Sequence, residues 1–200
     1  MDESTLIADA QKGKVDAFNE LVLAYQSQVY NLAYRIMGDP ASAEDATQET
    51  FIAAFKTLER FRGGSFKSYL LRIVSNRCYD ELRRRKRRPS TSFDDFGDVD
   101  EDANPALVNG GEKPEEYAQR REMAHVLQVG IDTLPADQRI TLVLSDVQGM
   151  NYQEIAETME VSLGTVKSRL ARARSKLRDY LRTNGELLPA RYRLENDGLG

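Results

Sequence analysis

The chain has one cysteine, one histidine and no tryptophan among its 200 residues. A lone Cys78 excludes an internal disulfide, and with His125 as the sole imidazole no four-ligand zinc site can be assembled. No apolar run approaches the roughly 18 residues that a membrane span needs, so no membrane insertion is expected. Met1-Asp2-Glu3-Ser4 is acidic where a secretion signal would be basic and then apolar, which points to a cytoplasmic location. Neither a glycine-rich phosphate loop nor a nucleophile beside a base is present, and no catalytic residue, metal, cofactor or small-molecule substrate is expected. Cys78 reads as a packed helix residue and His125 as a surface position.

The formal charge of −4 conceals a segregation. Between positions 89 and 118 there are nine acidic residues and one basic, so the rest of the chain carries a net charge of +4. That acidic stretch holds Pro89, Pro105 and Pro114, several glycines and almost no periodic apolar residues. Its apolar area is too small to offset an ordering entropy of roughly 1 to 2 kcal/mol per residue, which predicts a flexible acidic linker over 89–114. An all-α chain of two small helical domains follows, over 5–88 and 115–183, with a tail over 184–200 that carries no readable signal.

In the second domain, Tyr152 to Met159 places Ile155 and Met159 on one face, with small Ala156 where another helix can approach. Glu160-Val161-Ser162 forms a turn, and Ser162 can cap a following helix through the amide of Gly164 or Thr165. Val166, Leu170, Ala173 and Leu177 then make a core stripe. This is a helix-turn-helix pattern, whose common use is to lay its second helix in the major groove of DNA. Thr165, Lys167, Ser168, Arg169 and Arg172 are the base-edge and phosphate candidates. A charged outer face is compatible with plain solvation. However, positions 161–182 hold seven basic residues against one acidic, Asp179, which favours phosphate.

The first domain begins with a helix carrying Val15, Phe18, Leu21, Val22, Tyr25, Val29, Leu32, Ala33 and Ile36, which Gly38 can end. Asp39 and Pro40 suit the cap and first position of a second helix. Its early carboxylates, Glu44, Asp45 and Glu49, either complement the helix dipole or face a basic partner. A loop, Phe61-Arg62-Gly63-Gly64, precedes Ser65, which can cap a third helix with Phe66, Tyr69, Leu70, Ile73 and Val74 inside. Asn76, Asp80 and Arg84 recur every four residues on one face, and positions 83–88 are six consecutive cations. Such a run repels itself and calls for a polyanion. Phe61, Phe66, Tyr69 and Tyr79 lie close enough in sequence to stack unpaired bases, although Phe66 also reads as core. Together these features suit DNA that is opening rather than a closed duplex alone.

The arrangement resembles the bacterial sigma factors of the extracytoplasmic-function group. The matching segments are Asp45-Ala46-Thr47-Gln48-Glu49-Thr50-Phe51, the helix from Ser68 to Arg84, Leu134-Pro135-Ala136-Asp137-Gln138-Arg139, Tyr152-Gln153-Glu154-Ile155-Ala156 and Gly164-Thr165-Val166-Lys167-Ser168-Arg169-Leu170. The resemblance implies a region-two bundle and a region-four helix-turn-helix that recognise promoters for RNA polymerase. It implies that Glu44, Asp45, Gln48 and Glu49 dock on the beta-prime clamp helices, and that region four meets the beta flap. It assigns Phe61, Arg62, Ser65, Tyr69, Asn76, Asp80, Arg83 and Arg84 to opening the minus-ten element and capturing a base. Thr165, Lys167, Ser168, Arg169 and Arg172 would read the minus-thirty-five element, and an anti-sigma protein would control access to both surfaces. Tyr69 stands where relatives often have tryptophan, and Ala171 is small where some carry an aromatic. A dimeric helix-turn-helix repressor would explain the second domain but leave the basic helix of the first idle, and a protein-interaction module would use neither.

Overall fold

The computed structural model describes residues 2–87 and 114–184, and among them eight α-helices and no strand. The expected linker up to 113, Arg88 and the tail after Asn184 lie outside the described residues. The three-and-four spacing of apolar residues becomes helix α2, Val15–Met37, which buries Phe18, Leu21, Val29, Leu32, Ala33 and Ile36. Gly38 ends it in the left-handed region at φ 82°, and its amide donates back to the Tyr34 carbonyl at 2.9 Å. Glycine reaches that conformation without the steric cost other residues bear.

Helix α3, Pro40–Thr57, starts as the sequence predicts, with proline in the first turn and Asp39 Oδ1 accepting from the Ser42 amide at 2.8 Å. A 3-10 turn over Leu58–Arg60 leads into the loop before α4, Phe66–Arg87. Ser65 Oγ accepts from the Ser68 amide at 3.1 Å. A short helix α1, Glu3–Gln11, which no apolar periodicity announces, packs on α2 and on the 3-10 turn. Phe66 is buried, and Cys78 is fully enclosed, its thiol pushed up to about 12 by burial.

Two further helices that the periodicity does not announce frame the second unit: α5, Pro114–Asp132, and α6, Ala136–Leu142, which runs on through a π turn over Val143–Val147. Helices α7, Tyr152–Thr158, and α8, Leu163–Thr183, complete it, with His125 exposed on α5. Val166, Leu170 and Ala173 of α8 are buried, as the stripe requires.

The two units are in contact, which the expectation of flexibly tethered domains does not include. Helix α2 touches α5 and α6, α4 touches α6 and α7, and the buried residues of both units form one continuous cluster. The reason lies at the end of α2, where carbonyls have no partner inside the helix. Arg139 Nη1 donates to the Ile36 carbonyl at 2.7 Å, and Arg35 Nη1 donates to Gln128 Oε1 at 3.0 Å. Arg139 also pairs with Asp132 at 3.1 Å and donates to the Asp132 and Leu134 carbonyls.

At the start of α3, Arg85 donates to Asp39 Oδ2 and to Glu81 Oε1, each at 3.1 Å, and also to Ser42 Oγ. Burial works against the Asp39 charge, but the bonds from Ser42 and Arg85 prevail and hold its carboxyl below the usual carboxylate range. A depressed folded-state value means that the ionised group stabilises the fold above the unfolded pKa, and that this contribution disappears as pH falls through the folded value. Asp39→Ala should therefore lower stability by about 1 to 2 kcal/mol in urea titrations at neutral pH. The gap to wild type should close as the pH drops below about 4.

Candidate nucleic-acid interface

The second unit presents α8 as the sequence predicts, because capping at two helix starts fixes the turn. Asn151 and Glu154 form a reciprocal capping box: the Asn151 side chain accepts from the Gln153 and Glu154 amides at 3.0 Å, and Glu154 Oε2 accepts from the Asn151 amide at 2.8 Å. Glu160 takes a positive φ of 53° in the turn, and Ser162 Oγ accepts from the Thr165 amide at 3.1 Å. Val166, Leu170 and Ala173 then face inward, which directs Lys167, Ser168 and Arg172 into solvent.

The remaining candidates on α8 are engaged. Thr165 is half-buried and shares a hydrogen bond with the Ser162 hydroxyl at 2.9 Å. Arg169 turns back into the unit, where its Nε meets Asp137 Oδ2 of α6 at 3.2 Å. Arg174 forks onto Asp146, with Nε to Oδ2 at 3.0 Å and Nη2 to Oδ1 at 2.6 Å. That hydrogen-bonded fork raises the Arg174 pKa further above its usual value. The seven-to-one charge imbalance along this helix is thus partly internal: two of its arginines brace the helix-turn-helix from α6 and the π turn.

In the first unit, Glu44, Asp45, Gln48 and Glu49 are all exposed on α3, with Glu49 meeting Arg77 of α4 at 3.4 Å. The loop after the 3-10 turn reverses through Gly63 and Gly64, at φ 97° and 92°, and leaves Arg62 and Ser65 exposed. Phe61 is half-buried, 5.7 Å edge-on from Phe66 and 5.1 Å from Tyr69 between ring centres. The Tyr69 hydroxyl donates to the Ala54 carbonyl at 3.1 Å and shares a hydrogen bond with Thr57 Oγ1 at 2.6 Å, so its polar end is already committed inside the bundle. Asn76, Asp80, Arg83 and Arg84 line the outward face of α4. Arg84 pairs with Glu81 at 2.8 Å and Arg83 lies 5.6 Å over the Tyr79 ring.

Comparison with known proteins converges on one family. Residues 21–88 match Sigma-70 region 2, and residues 125–177 match Sigma-70, region 4. The chain is 40% identical over 176 residues to the ECF RNA polymerase sigma factor SigE of Mycolicibacterium smegmatis, covering 87% of this chain and 65% of that protein. It is 35% identical to the RNA polymerase sigma-H factor of Pseudomonas aeruginosa, over 88% of this chain and 91% of the relative. The chain belongs to the extracytoplasmic-function group of sigma-70 factors. A solved structure of CnrH in complex with the cytosolic domain of CnrY superposes with a TM-score of 0.62 at 25% identity, covering 90% of this chain and 97% of that one.

Membership makes this sigma factor a promoter-specificity subunit of RNA polymerase. Among the described residues, no helix is long and apolar enough to cross a membrane and no cluster could hold a metal ion. Sequence reasoning does not find Gln11 beneath the loop, Arg85 on Asp39 or Arg139 between the units. Each acts across a long separation in the chain, for which local periodicity has no signal. In a holoenzyme reconstituted with this sigma factor, Lys167→Ala or Arg172→Ala should lower promoter affinity and reduce the salt slope by about 0.9 for each phosphate no longer neutralised. Arg174→Ala should leave that slope unchanged and lower the melting temperature, which filter binding and calorimetry would separate.

Proposed function

We propose that this sigma factor engages a promoter at two places, with polymerase supplying all the covalent chemistry where the chromosome lies, in the cytoplasm. Lys167, Ser168 and Arg172 of α8 contact the minus-thirty-five duplex, while Thr165 and Arg169 hold the helix in position for them. Arg62, Ser65, Asn76, Asp80, Arg83 and Arg84 contact the opened minus-ten strand, with Phe61 and Tyr69 shaping the loop beneath. Glu44, Asp45, Gln48 and Glu49 dock on the beta-prime clamp helices, and region four meets the beta flap. The carrying observation is that exposed polar and cationic faces lie on two helical units of one sigma-family chain.

Contact between the units adds a requirement. Two elements roughly 25 base pairs apart are separated by about 85 Å along a duplex that rises about 3.4 Å per pair. A compact chain of this length has a radius of gyration of roughly 16 Å. The units therefore part when both elements are bound, and the bonds of Arg139 to Ile36 and of Arg35 to Gln128 break. An anti-sigma partner that grips both units would keep them together, and the solved CnrH structure is that of a complex with a partner domain, the cytosolic domain of CnrY.

Run-off transcription with start-site sequencing tests the main proposal: core polymerase with this chain should initiate at defined promoters, and failure across a genomic promoter library would overturn it. Reversing charge at Asp45 and Glu49 should weaken association with core polymerase about tenfold or more. Dyes on Glu20→Cys and Lys176→Cys would label selectively, since Cys78 is buried with its thiol raised to about 12. Energy transfer between them should fall on forming the promoter complex, and unchanged transfer would refute the opening.

A further inference from the structure

Helix α1 precedes the stretch that matches region 2, and it is fastened at both ends. At its start, the Tyr25 hydroxyl of α2 donates to Glu3. At its end, Gln11 Nε2 donates to two main-chain carbonyls of the segment entering the loop: Leu58 at 3.0 Å and Phe61 at 2.9 Å. Ala10 is buried, and Leu6 and Ile7 pack against the core, so α1 has a fixed seat from which Gln11 can act. Between α1 and the loop lies a groove of about 650 Å³ whose walls include Ser4, Ile7 and Gln11 on one side and Phe61, Arg62 and Gly63 on the other.

We propose that Gln11 is a positioning residue for recognition of the minus-ten element, and that α1 supplies the second wall of the groove that receives an unstacked base. The inference rests on the proposed role of the 61–65 loop in capturing that base. Phe61 is held through its side chain by Phe66 and Tyr69 and through its carbonyl by Gln11. Arg62, Gly63 and Gly64 form the exposed tip of an otherwise pinned loop. Gly63 and Gly64 have open space where a side chain would begin, so nothing packed against the tip fixes its shape. The two bonds from Gln11 therefore limit the conformations the tip samples. A base pocket discriminates only when its walls are held in place before the base arrives, because ordering them on binding costs affinity for right and wrong bases alike.

The side chain has one chemical requirement, a donor that reaches two carbonyl oxygens. Lysine retains it, leucine removes it, and glutamate replaces it with an acceptor facing acceptors. Holoenzymes reconstituted with wild type, Gln11→Leu, Gln11→Glu, Gln11→Lys and Arg62→Ala would be assayed by run-off transcription on promoters carrying each base at every minus-ten position. Permanganate footprinting would report strand opening, and the melting temperature of each free chain would report folding. Gln11→Leu and Gln11→Glu should flatten base preference about fivefold to tenfold, the fold-change expected from losing one or two hydrogen bonds. Initiation at the preferred promoter should fall less than discrimination does, and Gln11→Lys should restore the preference.

Unchanged preference in Gln11→Leu, with altered preference in Arg62→Ala, would overturn the role of Gln11 and leave base capture by the loop standing. If neither variant altered preference or opening, base capture by the loop would itself be refuted. Loss of preference that tracked a lower melting temperature and was not rescued by lysine would reduce Gln11 to a stability residue and also overturn the proposal.

Discussion

A buried guanidinium sits at the junction where the two halves of this molecule meet. Arg139 is 8% exposed, and withdrawing its charge from water costs several kcal/mol unless partners surround it. The Asp132 carboxylate and the carbonyls that end α2 and α5 converge on its two terminal nitrogens, while Nε is buried without a hydrogen-bond partner among the described residues. Those carbonyls sit at the negative ends of helix dipoles, where a cation is favoured. Burial nonetheless holds Asp132 above the usual carboxylate range despite the Arg139 charge, and lowers the Arg139 pKa as well. The pair is therefore better understood as fixing how the helices meet than as a large net source of stability. Gly38 belongs to the same arrangement, because a Cβ there would stand 2.8 Å from Asp132 Oδ2.

The cations of the chain divide between framework and surface, and charge counting along the sequence cannot separate the two. Arg85, Arg169 and Arg174 spend their heads on Asp39, Asp137 and Asp146, and in doing so hold helix starts and turns in place. Lys167, Arg172 and Arg62 remain in solvent. Exposed pairs of this kind contribute little stability one by one, so their value here is orientation. Fixing α8 from α6 and the π turn sets which side chains it presents, and fixing α4 against the cap of α3 sets the face that carries Asn76 and Asp80.

What can be read from the sequence depends on range. The spacing in α2, the stop at Gly38, the caps at Asp39, Ser65 and Ser162, and the stripe of α8 are all local, and the structure shows each. Helices α1, α5 and α6 escape the pattern because their apolar residues answer to neighbours on distant segments rather than to one clean stripe. Proximity to Lys167 and Ser168 suggests an outward-facing Arg169, yet Asp137, 32 positions earlier, decides where its head goes. Contact between the units is equally hidden, because it depends on main-chain carbonyls that every helix end possesses.

If the units part on promoter binding as proposed, the junction at Ile36 and Arg139 is also a thermodynamic load on the transcription apparatus. If polymerase and promoter together require the parted arrangement, their apparent affinity is the intrinsic one multiplied by the fraction of molecules already parted. Substitutions at that seam, far from DNA and from the clamp, would then tune promoter output as a rheostat does, with no change in which sequences are read. Evolution could adjust the strength of a regulon there and leave its membership intact.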